Sequence, residues 1–86
     1  MQETKRDMTK TEIRSIILKL IYQVMDNKNI ELSTEITSIA LDSLRFIKLV
    51  VEIEKKFNIK FDDDYLLLHK YQTIEDICKY IDAKMS

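Results

Sequence analysis

From Ile13 onward, apolar residues recur at helical spacing. Ile13, Ile16, Ile17, Leu20 and Val24 fall at i, i+3, i+4, i+7 and i+11, which places them on one face of a helix. "TKTE" opens that helix with a capping box, Thr9 as N-cap and Glu12 three positions on. The pattern holds to about Met25, where "DNKN" (26–29) supplies turn-forming residues. The stretch from Ile30 to Leu41 is mostly polar, with isolated Ile30, Leu32, Ile36, Ile39 and Leu41. A connection of that length is usually either functional or tied down by its own side chains. The spaced aliphatics predict that it is tied down.

A second helix is predicted to begin at Asp42 or Ser43 and to run to about Lys56. At the helical period, Arg45, Lys48, Glu52, Lys55 and Lys56 share one narrow polar arc. Phe46, Ile47, Leu49, Val50, Val51, Ile53 and Phe57 fill most of the remaining circumference. A helix this apolar on most sides is expected to be surrounded by other helices. Leu44, at the edge of the polar arc, is expected to be exposed.

Asn58 ends the second helix, and Asp62 or Asp63 is placed to cap a short third one carrying Tyr65, Leu66, Leu67 and Leu68. "TIED" starts the last helix, with Thr73 as N-cap and Glu75 and Asp76 in the first turn, where the dipole favours anions. Ile74, Ile77, Cys78 and Ile81 line its apolar face, which fades out at Lys84. The expected fold is therefore all-α: a four-helix bundle of three longer helices and one short one, with a long first loop. Residues 1–8 are polar and non-periodic, a flexible N-terminal arm, and 9–86 form a single domain. Its predicted core includes Ile13, Ile17, Leu20, Val24, Ile47, Val50, Val51, Phe57, Ile77 and Ile81.

Composition supports this picture. The chain has no Gly and no Pro, where average usage gives about six and about four in this length. Tight hairpins and Gly-rich phosphate loops are thereby disfavoured. A net charge of −1 carries no general preference for nucleic acid, so no nucleic-acid partner is expected. "IILKLIY" is interrupted by Lys19 and is far too short to span a membrane. The N-terminus lacks the apolar core of a signal peptide, and a single cysteine excludes an internal disulfide. A cytoplasmic monomer is the expectation.

Side chains able to do chemistry are few. His69 is the only histidine and has no second ligand at metal spacing, so no zinc site is expected. Cys78 lies on an apolar face, as a buried thiol does. Asp62–Asp64 lack the alternation and mid-loop Gly of a calcium loop, and helix capping accounts for them better. The four tyrosines are scattered along the chain, as at a core edge rather than a base-stacking platform. No catalytic residue and no metal ligand is assigned.

Ser43 stands apart. A serine at a helix start is ordinarily a cap, yet Asp42 is an equally good cap and the helix needs only one. A phosphate esterified to Ser43 would meet the unpaired N–H groups and positive dipole end of the second helix.

Three segments then carry a resemblance. "LDSL" resembles the attachment motif of acyl and peptidyl carrier proteins, usually written (L)G-x-D-S-L/I. "FIKLVVEIEKKFNIKF" resembles the second helix and exit of that family, and "YQTIEDICKYI" its last helix. With the first helix, the likeness spans about Thr11 to Lys84.

The resemblance implies an acyl-carrier-like bundle in which Ser43 receives 4′-phosphopantetheine from coenzyme A through a Mg²⁺-dependent phosphopantetheinyl transferase. Asp42 would orient the transferase and its metal, and Leu44 would be an exposed apolar contact for partners. The partners implied are that transferase, an acyl- or aminoacyl-loading ligase, and downstream acyl-transfer and condensing enzymes.

Two departures stand out. Ala40 replaces the family's usual Gly, so the backbone there must avoid positive φ or bear strain. The second helix, acidic in fatty-acid carriers, here presents Arg45, Lys48, Lys55 and Lys56 with Glu52 as the one acid of that arc. Charge steers association and penalises wrong partners. "IELSTEITSIALDSL" also has the shorter spacing common in modular polyketide and nonribosomal-peptide carriers. These features favour a dedicated specialised-metabolite pathway. The alternatives are a primary fatty-acid carrier, an unmodified helical docking module, and a small enzyme, for which the chain lacks a base paired to a nucleophile.

Overall fold

A computed structural model describes residues 8–85. The described residues form three α-helices, α1 (Lys10–Met25), α2 (Ser43–Phe57) and α3 (Ile74–Met85), joined by segments that contain short 3₁₀ turns. The predicted arm lies almost wholly outside the described residues; Met8, at its end, is half-buried against the core.

Local sequence signals set the helix ends. Thr9 and Glu12 complete the capping box: Thr9 Oγ1 accepts from the Glu12 N–H at 3.1 Å and the Thr9 N–H donates to Glu12 Oε1 at 2.8 Å. Asp26 closes α1 and Asn58 closes α2, both left-handed at φ 53° and φ 56°. This is a position that usually takes glycine, for which Asp and Asn are the tolerated substitutes in a chain without any. At α3, Thr73 Oγ1 accepts from the Asp76 N–H while Asp76 Oδ2 accepts from the Thr73 and Gln72 N–H groups. Those two backbone bonds, Gln72 first, hold the Asp76 carboxyl below its ordinary range.

The core is mostly aliphatic where the helices meet. Ile13, Ile17, Leu20 and Ile21 of α1 pack with Phe46, Leu49, Val50, Ile53 and Phe57 of α2 and with Ile74, Ile77, Cys78 and Ile81 of α3. Burial pushes the Cys78 thiol up to about 12, so it is a packed hydrophobe with no thiolate at neutral pH.

The long first loop is tied down as its aliphatics predict. Ile30, Ile36 and Leu41 are buried, and Leu32 and Ile39 pack against the core. The loop also satisfies the start of α3: the N–H groups of Ile74 and Glu75 donate to Thr34 and Leu32 carbonyls at 3.1 and 2.9 Å, and Ile36 N–H donates to Gln72 O at 2.9 Å.

The structure corrects three expectations and adds one contact that the sequence did not show. The segment read as a fourth helix forms two 3₁₀ turns, Asp63–Leu66 and Leu68–Lys70, broken by an extended Leu67. Asp62 makes no side-chain cap there; its carboxylate accepts from Tyr80 Oη at 3.0 Å and Lys84 Nζ at 3.3 Å, tying the turn to α3. Tyrosines distant in sequence are neighbours in space, because Tyr65, Tyr71 and Tyr80 join Phe46 and Phe61 in one aromatic cluster, with Tyr65 and Tyr80 stacked at 4.4 Å. Finally, of the predicted core, Val24 is only half-buried, while Ile47 and Val51 are exposed. No described helix covers the side of α2 on which Ile47 and Val51 lie.

One stabilising element went unread in the sequence. Arg14 on α1 donates to Glu75 (2.7 Å) and Asp82 (3.0 Å) on α3, with bonds to both oxygens of each carboxylate. Fork-to-carboxylate bonds of this kind fix orientation as well as adding energy. The bond from Arg14 holds the Glu75 carboxyl below its usual value, and Glu75 with Asp82 raises the guanidinium in turn.

Candidate functional site

Leu41, buried beneath the end of the long loop, anchors the chain immediately before α2. Asp42 is then extended (φ −91°, ψ −179°), the conformation of an N-cap. Its Oδ1 accepts from the Arg45 N–H at 2.9 Å, and its carbonyl accepts from the Phe46 N–H at 2.8 Å. The ambiguity between two adjacent caps is thereby decided: Asp42 caps, and Ser43 is the first helical residue. Ser43 is exposed, and its hydroxyl is not needed to close the helix. Around it are the first-turn N–H groups, which have no acceptor within the helix, and the positive end of the α2 dipole.

Arg45 does not simply continue the exposed basic row. Its Nη1 donates to the Ala40 carbonyl at 3.2 Å and lies 3.8 Å from Asp42 Oδ2, so the side chain braces the turn that presents Ser43. Ala40 itself bears no left-handed strain: the only described non-glycine residues at positive φ are Asp26 and Asn58. The substitution of alanine for the family's glycine is accommodated in ordinary backbone.

Two apolar features flank Ser43, and the sequence disclosed only part of them. Leu44, Ile47 and Val51, at i, i+3 and i+7, form an exposed stripe along α2, 68%, 43% and 44% accessible. Leu44 was expected outside; the other two were not. Toward the 3₁₀ segment, Ser43 borders a second groove that shares Ile47 with the stripe and is lined further by Ile39, Leu41, Leu66, Leu67 and Leu68. The loop, α2 and the 3₁₀ segment each contribute to this groove, and no single stretch of sequence announces it. Lys48 and Glu52 are both exposed on α2, and Glu52 lies 3.6 Å from Lys55.

This arrangement suits a hydroxyl that is acted upon. No described histidine or carboxylate is hydrogen-bonded to Ser43 as a base would be, and no described group of residues has the makings of a metal site. Among the described residues, no helix is long and apolar enough to cross a membrane.

Comparison with known proteins agrees with the geometry. Residues 11–81 match the family described as "Phosphopantetheine attachment site". The chain is 36% identical over 80 residues to an acyl carrier protein of Karelsulcia muelleri (strain GWSS), covering 88% of this chain and 93% of that protein. It is 33% identical over 63 residues to an acyl carrier protein of Phytoplasma australiense, covering 72% of this chain and 80% of that one. The chain belongs to the acyl carrier protein family, whose members bear covalently attached 4′-phosphopantetheine. It is accordingly a carrier and not an enzyme, and it works with a phosphopantetheinyl transferase and acyl-handling enzymes.

Proposed function

We propose that this chain is a cytoplasmic acyl or aminoacyl carrier whose arm is attached at Ser43, and that it serves a dedicated specialised-metabolite pathway of polyketide or nonribosomal-peptide type. The observation that carries the assignment of Ser43 is the division of roles at the start of α2. Asp42 makes the cap, so the Ser43 hydroxyl stands exposed and uncommitted at a helix N-terminus.

In this reading Ser43 Oγ attacks the pyrophosphate of coenzyme A. The new Oγ–P bond forms as the P–O bond to the adenosine bisphosphate breaks, and the hydroxyl proton passes to a base of the transferase. The first-turn N–H groups of α2 favour the phosphodiester anion that results. Asp42 holds Ser43 at the helix start and presents its second carboxylate oxygen toward the transferase and its Mg²⁺. When bound, the arm supplies a terminal thiol that holds the cargo as a thioester. Leu44, Arg45, Lys48 and Glu52 face the enzymes that load and unload it.

Intact mass after incubation with coenzyme A and a broad-specificity transferase tests the attachment. A phosphopantetheine increment is expected for the native chain and none for Ser43→Ala, with helical circular dichroism unchanged. An increment that persists in Ser43→Ala overturns the assignment of Ser43. No increment in the native chain, with several transferases, makes it an unmodified docking module.

The pathway reading is supported by the basic character of α2 and by the spacing before the motif. The second reading, a primary fatty-acid carrier, is favoured by the names of the two relatives. Rapid elongation by fatty-acid synthase enzymes, unaffected by Arg45→Asp and Lys48→Glu, would establish that second reading.

A further inference from the structure

His69 belongs neither to the core nor to a helix cap. It is exposed in the turn Leu68–Lys70, and among the described residues no hydrogen bond or ion pair engages its imidazole. Yet it lines the same groove as Ser43. The rest of that lining is aliphatic apart from Thr37 and Tyr71. Tyr71 is already committed: its Oη donates to the Tyr65 carbonyl at 2.7 Å, and burial pushes its phenol up from the ordinary value.

No carboxylate and no Lys or Arg lines this groove. The charged side chains on the elements that form it have other positions. Arg45 is held by the Ala40 carbonyl and Asp42, and Asp62 by Tyr80 and Lys84. Lys70 lies over the Tyr65 ring, 5.5 Å from its centroid. Glu31, Glu35, Lys48, Asp63 and Asp64 are exposed and outside the lining. Among the described residues, His69 is therefore the one lining side chain able to take on charge near neutral pH.

We propose that His69 is a counter-charge for the phosphodiester on Ser43, holding the root of the arm on the groove side of α2 while the imidazole is protonated and releasing it when the ring is neutral. This rests on the carrier reading, which is what places that anion on Ser43. The diester brings one negative charge to a lining otherwise without ions. The first-turn N–H groups of α2 attract it at every pH. His69, on the 3₁₀ segment rather than on α2, adds an attraction that pH can remove. An anion beside the ring favours the imidazolium. The hold is accordingly complete below the range in which the ring titrates and is lost as pH rises through it. No covalent bond is made or broken in this step.

The test follows the His69 ring protons and the phosphorus of the arm by NMR in the full-length chain, before and after phosphopantetheine is attached, with intact mass recording the attachment. The ring protons should titrate higher in the chain that carries the arm, by about 0.4 pH unit or more, the order of effect that one nearby negative charge has through a hydrated groove. The phosphorus resonance should move with the same midpoint between about pH 5 and pH 8, although the diester itself does not titrate there. His69→Gln keeps a hydrogen-bond donor but takes no charge, and should abolish that phosphorus response. His69→Lys fixes the charge and should keep the phosphorus near its acid position throughout. Circular dichroism should stay the same in both variants, because His69 is exposed.

A smaller difference between the two forms of the chain overturns the proposal, as does a phosphorus response that survives His69→Gln. A difference undiminished in about 1 M salt, where charges are screened beyond about 3 Å, also overturns it, because a change of conformation and not charge would then be the cause. When the mass shows the arm on the native chain and none on Ser43→Ala, each of these results removes the counter-charge alone and leaves the carrier reading intact. A mass that shows no arm on the native chain overturns the carrier reading and the counter-charge with it.

Discussion

The two sides of α2 are built from the same kinds of residue and meet opposite fates. Phe46, Leu49, Val50, Ile53 and Phe57 are buried, while Leu44, Ile47 and Val51, interleaved with them, face outward. Hydrophobicity therefore does not separate structure from function on this helix; neighbours do. The inward set lies against α1, α3 and the long loop. No described element covers the outward set, and its exposed apolar surface is available for a partner to bury.

Charges divide in the same way. Arg14, Glu75 and Asp82 are committed to one another across the α1–α3 seam. Lys48 and Lys56, on the α1–α2 side, are exposed and held by no described ion pair. One seam uses charge to close, and the other leaves it displayed.

The largest expected effect comes from breaking the inward side. Phe46→Ala removes a side chain that is 1% exposed and in contact with Tyr71 at a 5.6 Å ring separation. It should destabilise the bundle by about 3–5 kcal/mol in urea unfolding. A loss under 1 kcal/mol would show that the interior is not packed as described.

A smaller effect is expected at the closed seam. Arg14→Met should cost about 1–2 kcal/mol, between the values for exposed and buried ion pairs. It should also alter the acid limb of stability. The Glu75 carboxyl is lowered from 4.5, first by its bond from Arg14, and Asp76 from 3.8, first by its bond from the Gln72 N–H. A depressed carboxyl contributes stability above its unfolded pKa and loses it as pH falls through the folded value. Native stability should accordingly begin to fall below about pH 4.5. The variant should fall less steeply, because the Glu75 share is gone and the Asp76 share remains. Parallel acid limbs in urea titrations at stepped pH would refute this.

The smallest effect should come from the outward side. Leu44→Ser and Val51→Ser are each expected within about 0.5 kcal/mol of the native stability, while weakening transfer of the arm or binding of partners. A large loss of stability in either would mean that the stripe belongs to the core after all, and the comparison would fail.

Much of this molecule is legible in its order of residues because the signals are local. Thr9 with Glu12, and Thr73 with Asp76, mark helix starts through side chains that reach only three residues. Asp26 and Asn58 mark helix ends just as locally, through left-handed backbone that Asp and Asn tolerate. The spacing of Ile13, Ile17 and Leu20, or of Ile74, Ile77 and Ile81, identifies a buried face because each of those helices has one apolar side.

Where the signal is not local, the sequence misleads or is silent. On α2 the apolar residues go most of the way round, so periodicity alone could not tell Val50 from Val51. The Asp62–Asp64 run was read as capping, but Asp62 is drawn to Tyr80 and Lys84, 18 and 22 residues away. Arg14 finds its partners 61 and 68 residues along the chain, beyond the reach of any motif.

The candidate site divides along the same line. By itself the sequence determined the Asp42–Ser43–Leu44 run, the helix that follows and the family likeness, since each depends on contiguous residues and short-range hydrogen bonds. The folded structure decided between two adjacent candidates, making Asp42 and not Ser43 the cap, and showed Arg45 folded back on Ala40. It also decided that no described element covers the apolar stripe beyond Leu44 and that no described ion pair holds the lysines beside it. The physical reason is that burial and charge pairing belong to no residue by itself; they arise from what the rest of the chain places against it.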